Sequence, residues 1–141
     1  MTEELELPKK KRKKPVSATK RALAECRKRG WVAQVVEQTI PRVFIKRDLF
    51  GVIDIIALTP DGIVGIQATA GDGHHTEHLR KIYAEPRAKL WLEVGAGRAT
   101  IELWTFLLRG ASGKRKLFTL RTEAITLGGF PETFPSAEAL A

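Results

Sequence analysis

Between Asp48 and Thr69 the chain reads DLFGVIDIIALTPDGIVGIQAT, two apolar runs separated by a turn signal. The runs predict a strand ending near Leu58, a turn at Pro60-Asp61-Gly62 and a second strand from Ile63 to Thr69. Alternation puts Asp54, Ile56 and Leu58 on one face of the first strand and Ile53, Ile55 and Ala57 on the other. Gly65, Gln67 and Thr69 share a face of the second. A lone carboxylate in VIDIIAL is expensive to bury without a partner or a metal, so Asp54 is expected beside the Gln67 and Thr69 pair.

The remaining pattern predicts the elements around this cluster. Ser17 to Arg29 reads as a helix with Ser17 as N-cap, Gly30 as stop and Arg27, Lys28 and Arg29 at the negative end of its dipole. Its apolar stripe is Ala18, Ala22, Leu23 and Cys26, which makes Cys26 a core residue rather than a nucleophile. Trp31 to Gln38 reads as a strand, Pro41 interrupts, and residues 43–45 continue a hairpin or form a loop. Glu37 either points into the polar cluster or is a solvated residue at a strand end. After Gly71 and Gly73 a helix is expected to start near His74 or His75. A second helix follows from Pro86, with Leu90, Trp91 and Val94 on one face and Gly95 closing it. Thr100 to Leu108 is a strand, 109–115 a turn and Lys116 to Arg121 its hairpin partner. Phe130 and Phe134 pin the tail to the domain or to a partner chain. A helix between the third and fourth strands permits a parallel crossover, so the expectation is an α/β fold with a mixed sheet flanked by helices.

Composition narrows the function classes. The chain has 141 residues, enough for one domain with an ordinary core, and no internal repeat. The division expected is a disordered basic arm over 1–16, a folded domain over 17–127 and a tail over 128–141. Net charge is +8 with a pI near 9.9, which favours polyanionic partners, nucleic acid first. The arm holds six consecutive basic residues, Lys9, Lys10, Lys11, Arg12, Lys13 and Lys14. Phosphate contact ranks first for them, beside a nuclear-localisation-like run and a solubilising tail. Single Cys26 excludes a disulfide framework and a cysteine zinc site. No apolar run suits a membrane span or a secretory signal, so the expected setting is reducing and cytoplasmic, in a bacterial or phage-infected cell, or nuclear in a eukaryotic host. Trp31, Trp91 and Trp104 lie in apolar segments and read as core or dimer interface rather than a stacking platform. Walker-type loops, Gly-x-Ser-x-Gly and His-Glu-x-x-His are absent.

The order helix, hairpin-like strands with Asp54 on one and Gln67-Ala68-Thr69 on the next, then helix and strand resembles the PD-(D/E)XK nuclease superfamily. The resemblance covers about residues 17–108 and implies its restriction-endonuclease-like αβββαβ core. It is closest to small phage and plasmid proteins of Holliday junction resolvase type. The segments that carry it are Val36-Glu37-Gln38-Thr39-Ile40-Pro41, Asp48-Leu49-Phe50-Gly51 and Gln67-Ala68-Thr69 leading to His75. It implies Mg²⁺-dependent phosphodiester hydrolysis, with Mn²⁺ as substitute, on four-way or branched DNA in recombination. It implies Asp54 as main metal ligand, Gln67 through its amide oxygen, the Ala68 carbonyl, Glu37 as an extra ligand and Asp48 as a weaker one. It further implies a homodimer, because symmetric cleavage needs two sites. Backbone phosphates would be held by the arm and by Lys20, Arg21, Arg27, Lys28, Lys46 and Arg47.

Two departures bear on catalysis. Thr69 stands where the motif lysine belongs, and Gln67 replaces a glutamate, which removes one negative charge. Lys81 is either a relocated lysine or a surface residue, and Thr19 falls where resolvases carry a helix glutamate. His75 is expected to contact the scissile phosphate or to activate water. His75 and His78 share a helix face, but they are too few for a zinc site. The alternatives are a DNA-binding module that kept the fold and lost catalysis, and a repair or restriction-like nuclease on linear duplex.

Overall fold

The computed structural model describes residues 16–42, 45–111 and 113–134. The arm from Lys9 to Lys14 lies outside the described residues. The fold is α/β: a mixed five-stranded sheet flanked by helices on both faces.

Helix α1 spans Ala18–Lys28 and is capped by the Ser17 hydroxyl, which accepts from the Lys20 N–H at 3.2 Å. The expected strand over 31–38 is broken in two. β1 covers Val32–Val35 and β2 covers Gln38–Ile40; the Val36 N–H donates to the Asp54 carbonyl at 2.8 Å in the register of the β1–β4 pairing, and from Gln38 the chain changes partner. β2 pairs with β3, Ile45–Arg47, in a small separate hairpin. The central hairpin follows, β4 at Ile55–Thr59 and β5 at Gly62–Ala70. Helices α2, Asp72–Tyr83, and α3, Pro86–Gly95, cross over to β6, Ala99–Arg109, which lies parallel to β5. β7, Leu117–Ala124, returns antiparallel, and a short 3-10 turn spans Leu127–Gly129. The strand order is β1-β4-β5-β6-β7. No helix among the described residues is long and apolar enough to cross a membrane.

The sheet divides the core. Ile55, Ala57, Val64, Ile66, Ala68, Trp104 and Phe106 pack under Ala22 and Cys26 of α1. On the other face Ile53, Ile101, Leu103 and Val52 pack with Ile82, Ala88 and Leu92 of α2 and α3. The polar face read from Asp54, Gln67 and Thr69 is this second one.

Several boundaries move. α2 begins at Asp72, earlier than expected, as Gly71 (φ 95°) lets the chain leave β5 and turn at once. In α3 the buried residues are Ala88 and Leu92, while Val94 is 77% exposed and belongs to no core face. Ile53 sits on the α2/α3 side rather than with Ile55 and Ala57. Regular alternation starts only at Ile55, and Ile53 is folded over Gly65, where any Cβ would lie 2.7 Å from its Cδ1. The tail is pinned to the domain. Phe130 is buried, its ring 4.9 Å from Tyr83, and Phe134 packs edge-on against it.

Candidate functional site

Neighbouring antiparallel pairings bring three carboxylates together. β2 and β3 pair with Gln38 opposite Arg47, so Glu37 and Asp48, just outside that hairpin, face each other. Asp48 then opens a tight turn closed by a bridge between Leu49 and Ile53, which sets it across from Asp54. Oxygens of Glu37, Asp48 and Asp54 lie within 4.8 Å of one another. The turn stores backbone strain, with Phe50 at φ 54° and Gly51 at φ 74°. α3 holds it there: the Phe50 ring packs edge-on against Trp91, and Arg87 covers that ring and donates to the Phe50 carbonyl at 3.3 Å.

Asp54 is buried and oriented by two donors on a single oxygen. Its Oδ2 accepts from Gln67 Nε2 at 2.9 Å and from the Ala68 N–H at 2.8 Å. Burial pushes its carboxyl up to about 8, and a side-chain hydrogen bond with Asp48 adds to the rise against the Ala68 N–H. Burial and the neighbouring Asp48 thus favour the protonated form of Asp54. Gln67 is the complement of this picture. Its amide nitrogen is engaged, while its Oε1 is buried with no hydrogen-bond partner. An orphaned buried acceptor and three converging carboxylates together could hold a cation. The donor set is all oxygen, which suits Mg²⁺ or Mn²⁺.

The remaining expected residues take separate places. Ala68 enters the cluster through its N–H. Thr69 is buried on the Gln67 side of β5 and brings no charge. Lys81 reaches the rim, its Nζ 3.9 Å from Asp48 Oδ2. His75 lies elsewhere. It is buried against β6 and β7, with Nδ1 2.6 Å from Thr105 Oγ1 and Nε2 3.3 Å from Glu123 Oε1. Both ring nitrogens are engaged inside the chain, where the expectation was a phosphate or water contact.

The histidine on the cluster side is His78. Its Nδ1 is buried without a partner, and burial, then Lys81, lowers its pKa, with Asp48 opposing. Helix spacing carried a signal for this: His75, Leu79 and Ile82 form the inward stripe, leaving His78 and Lys81 at its edge. Asp48, ranked a weaker ligand from sequence, stands in the cluster with Glu37 and Asp54.

The basic residues split between the faces. Lys46 and Arg47 are exposed on β3, next in sequence to Asp48. Lys20, Arg27 and Lys28 are exposed on α1, across the sheet, and the Arg21 guanidinium lies 3.7 Å from the Phe118 ring centre. Comparison with protein-family models, with curated proteins and with solved structures gives no match to this chain.

Proposed function

We propose that this chain is a metal-dependent, structure-selective DNA endonuclease of PD-(D/E)XK type, a Holliday junction resolvase or a close relative acting on branched DNA. The observation that carries the reading is the convergence of Glu37, Asp48 and Asp54 beside the orphaned buried Oε1 of Gln67. Those four residues would hold Mg²⁺ or Mn²⁺. The ion, when bound, polarises the scissile phosphate and makes a water nucleophilic at neutral pH. The protein's own part is preorganisation. Gln67 Nε2 and the Ala68 N–H fix Asp54, and the Leu49–Ile53 turn fixes Asp48. Lys81 offsets the charge of Asp48 and puts a cation at the rim where a phosphodiester would enter. In a two-fold dimer two such sites would serve paired strand cuts.

One observation favours a second reading. Thr69 supplies no positive charge where the superfamily motif has a lysine, which suits a DNA-binding module that no longer cuts. The test incubates the protein with a labelled four-way junction and a matched linear duplex in Mg²⁺ or Mn²⁺, with Asp54→Ala as control for contaminating nuclease. Paired nicks confined to the junction and absent in the variant are the expected result. Binding without scission in either metal would overturn the enzyme reading.

A further inference from the structure

A second surface lies on the opposite face of the sheet from the acidic cluster. α1 and the β6–β7 hairpin enclose an open groove of about 400 Å³, lined by Arg21, Lys28, Phe106, Phe118 and Leu120 among others. The volume falls within the range of about 300–1,000 Å³ usual for ligand clefts. Its floor is the α1 face of two paired strands, with Phe106 opposite Leu120 and Leu108 opposite Phe118. Towards the hairpin end this pairing leaves apolar surface open: Leu108 is 51% exposed and Phe118 42%. Arg21 lies against the Phe118 ring at 3.7 Å.

The charge around this apolar floor is mostly positive. Lys114, Arg115 and Lys116 are exposed beside the hairpin turn. Across the groove α1 contributes Arg21 and Lys28. The one acidic residue lining the groove, Glu25, is paired with Arg29 at 3.1 Å. Duplex phosphates alone would be served by the cations and would leave an exposed ring with nothing to do. A ring beside a stacked guanidinium, within a basic groove, fits unpaired bases whose backbone runs along the cations.

We propose that the groove between α1 and the β6–β7 hairpin binds single-stranded nucleic acid, with a base stacked on the Phe118–Arg21 pair. The inference rests on the nucleic-acid half of the function proposed above and is independent of its catalytic half. It gives the chain two contact surfaces, one on each face of the sheet. Such an arrangement favours DNA that carries unpaired or branching strands over uniform duplex.

The test is fluorescence anisotropy on the full chain in EDTA, with a labelled oligo(dT) strand and a labelled blunt duplex. Phe118→Ala should weaken the single strand about tenfold, the order of one lost stacking contact, and the duplex much less. Phe118→Trp, which keeps a ring, should restore single-strand binding. Unaltered oligo(dT) affinity in a Phe118→Ala protein with a native circular dichroism melt would overturn the proposal. So would an equal loss on both DNAs, which would mark a phosphate contact only. A change of mass in sedimentation equilibrium without loss of DNA affinity would assign the surface to a second copy of this chain instead. The binding assay contains no metal, so the nuclease reading is checked separately: junction cleavage in Mg²⁺ by wild type and Phe118→Ala alike would leave it standing if the groove fails.

Discussion

Asp54→Asn offers a direct view of the acidic cluster without any assumption about substrate. In the folded chain the Asp54 carboxyl titrates near 8 against an ordinary value of 3.8, chiefly because it is buried. The folded state therefore keeps a proton that the unfolded chain gives up. The stability this contributes is fully present below the unfolded value and is lost as pH rises through the folded one. At about 1.4 kcal/mol per pH unit, the loss by pH 8 has an upper bound on the order of 5 kcal/mol. An asparagine mimics the protonated acid. Its carbonyl can accept from Gln67 and Ala68, its amide can donate to Asp48, and it has no charge to desolvate. In EDTA the variant should match wild type near pH 4 and become progressively more stable than it towards pH 8. Urea melts across that range read the difference directly. Even a gap of about 2 kcal/mol would move the thermal midpoint by several degrees in a domain of this size. Saturating Mn²⁺ should reverse the order at high pH, because the cation stabilises only the chain whose cluster binds it tightly. A difference that stays flat between about pH 5 and pH 8 in EDTA would refute the reasoning, since it would mean that Asp54 is ionised at no cost in the folded chain.

Other perturbations address neighbouring parts. Gly65→Ala places a methyl 2.7 Å from the buried Ile53 Cδ1, so it should cost about 1–3 kcal/mol in a urea melt. It should also weaken Mn²⁺ binding by calorimetry, because Ile53 precedes Asp54. His75→Ala leaves Thr105 without its buried partner and should cost roughly 2–3 kcal/mol, with cleavage falling only as the folded fraction falls. A variant that melts like wild type yet cuts nothing would return His75 to the active site. Lys81→Met removes a half-exposed cation 3.9 Å from Asp48, so metal affinity should rise by no more than about fivefold while cleavage drops. Unchanged cleavage would exclude Lys81 from the chemistry. Burial pushes the Cys26 thiol up to about 11, so a thiol reagent at neutral pH should react only at the rate of global opening, as read by hydrogen exchange.

How legible the site was depends on how local each cause is. The pairing of Asp54 with Gln67 follows from two-residue alternation and one short turn, both written in adjacent residues, and the structure has it at 2.9 Å. The crossover from β5 to β6 was readable for the same reason, since two helical segments separate the strands. The approach of Asp48 to Asp54 was not. It depends on a turn in which Phe50 adopts φ 54°, a conformation that residue type does not signal and that Trp91 and Arg87, some forty residues on, stabilise. The split of the 31–38 run is likewise tertiary, because the chain pairs with β4 up to Val35 and with β3 from Gln38. Ile53 changes face because Gly65 opens space across the hairpin, a fact about a partner strand rather than about its own neighbours. The histidines lie between these cases. The stripe of His75, Leu79 and Ile82 was visible, yet the chemistry of a histidine after a glycine link outweighed it.

The electrostatics of the two faces constrain how the chain can work on DNA. Three carboxylates within 4.8 Å of one another repel a phosphodiester, and Thr69 contributes nothing against them. Lys81 offsets one charge at 3.9 Å from Asp48 but is half-exposed, so water weakens its effect. Phosphate can therefore enter the cluster only if a cation or protons first cancel the remainder. The basic groove and α1 carry no such burden and, on the function proposed above, would hold nucleic acid under any metal condition. It follows that binding measured in EDTA should report the basic face alone, while added Mn²⁺ should tighten the complex through the acidic one. Linkage makes that effect reciprocal: DNA must raise the affinity for Mn²⁺ by the same factor. Calorimetric titration of Mn²⁺ into the chain with and without a non-cleavable junction measures that factor. Equal affinities would mean that DNA never reaches the cluster, and the carboxylates would then be a structural feature of the fold rather than its active site.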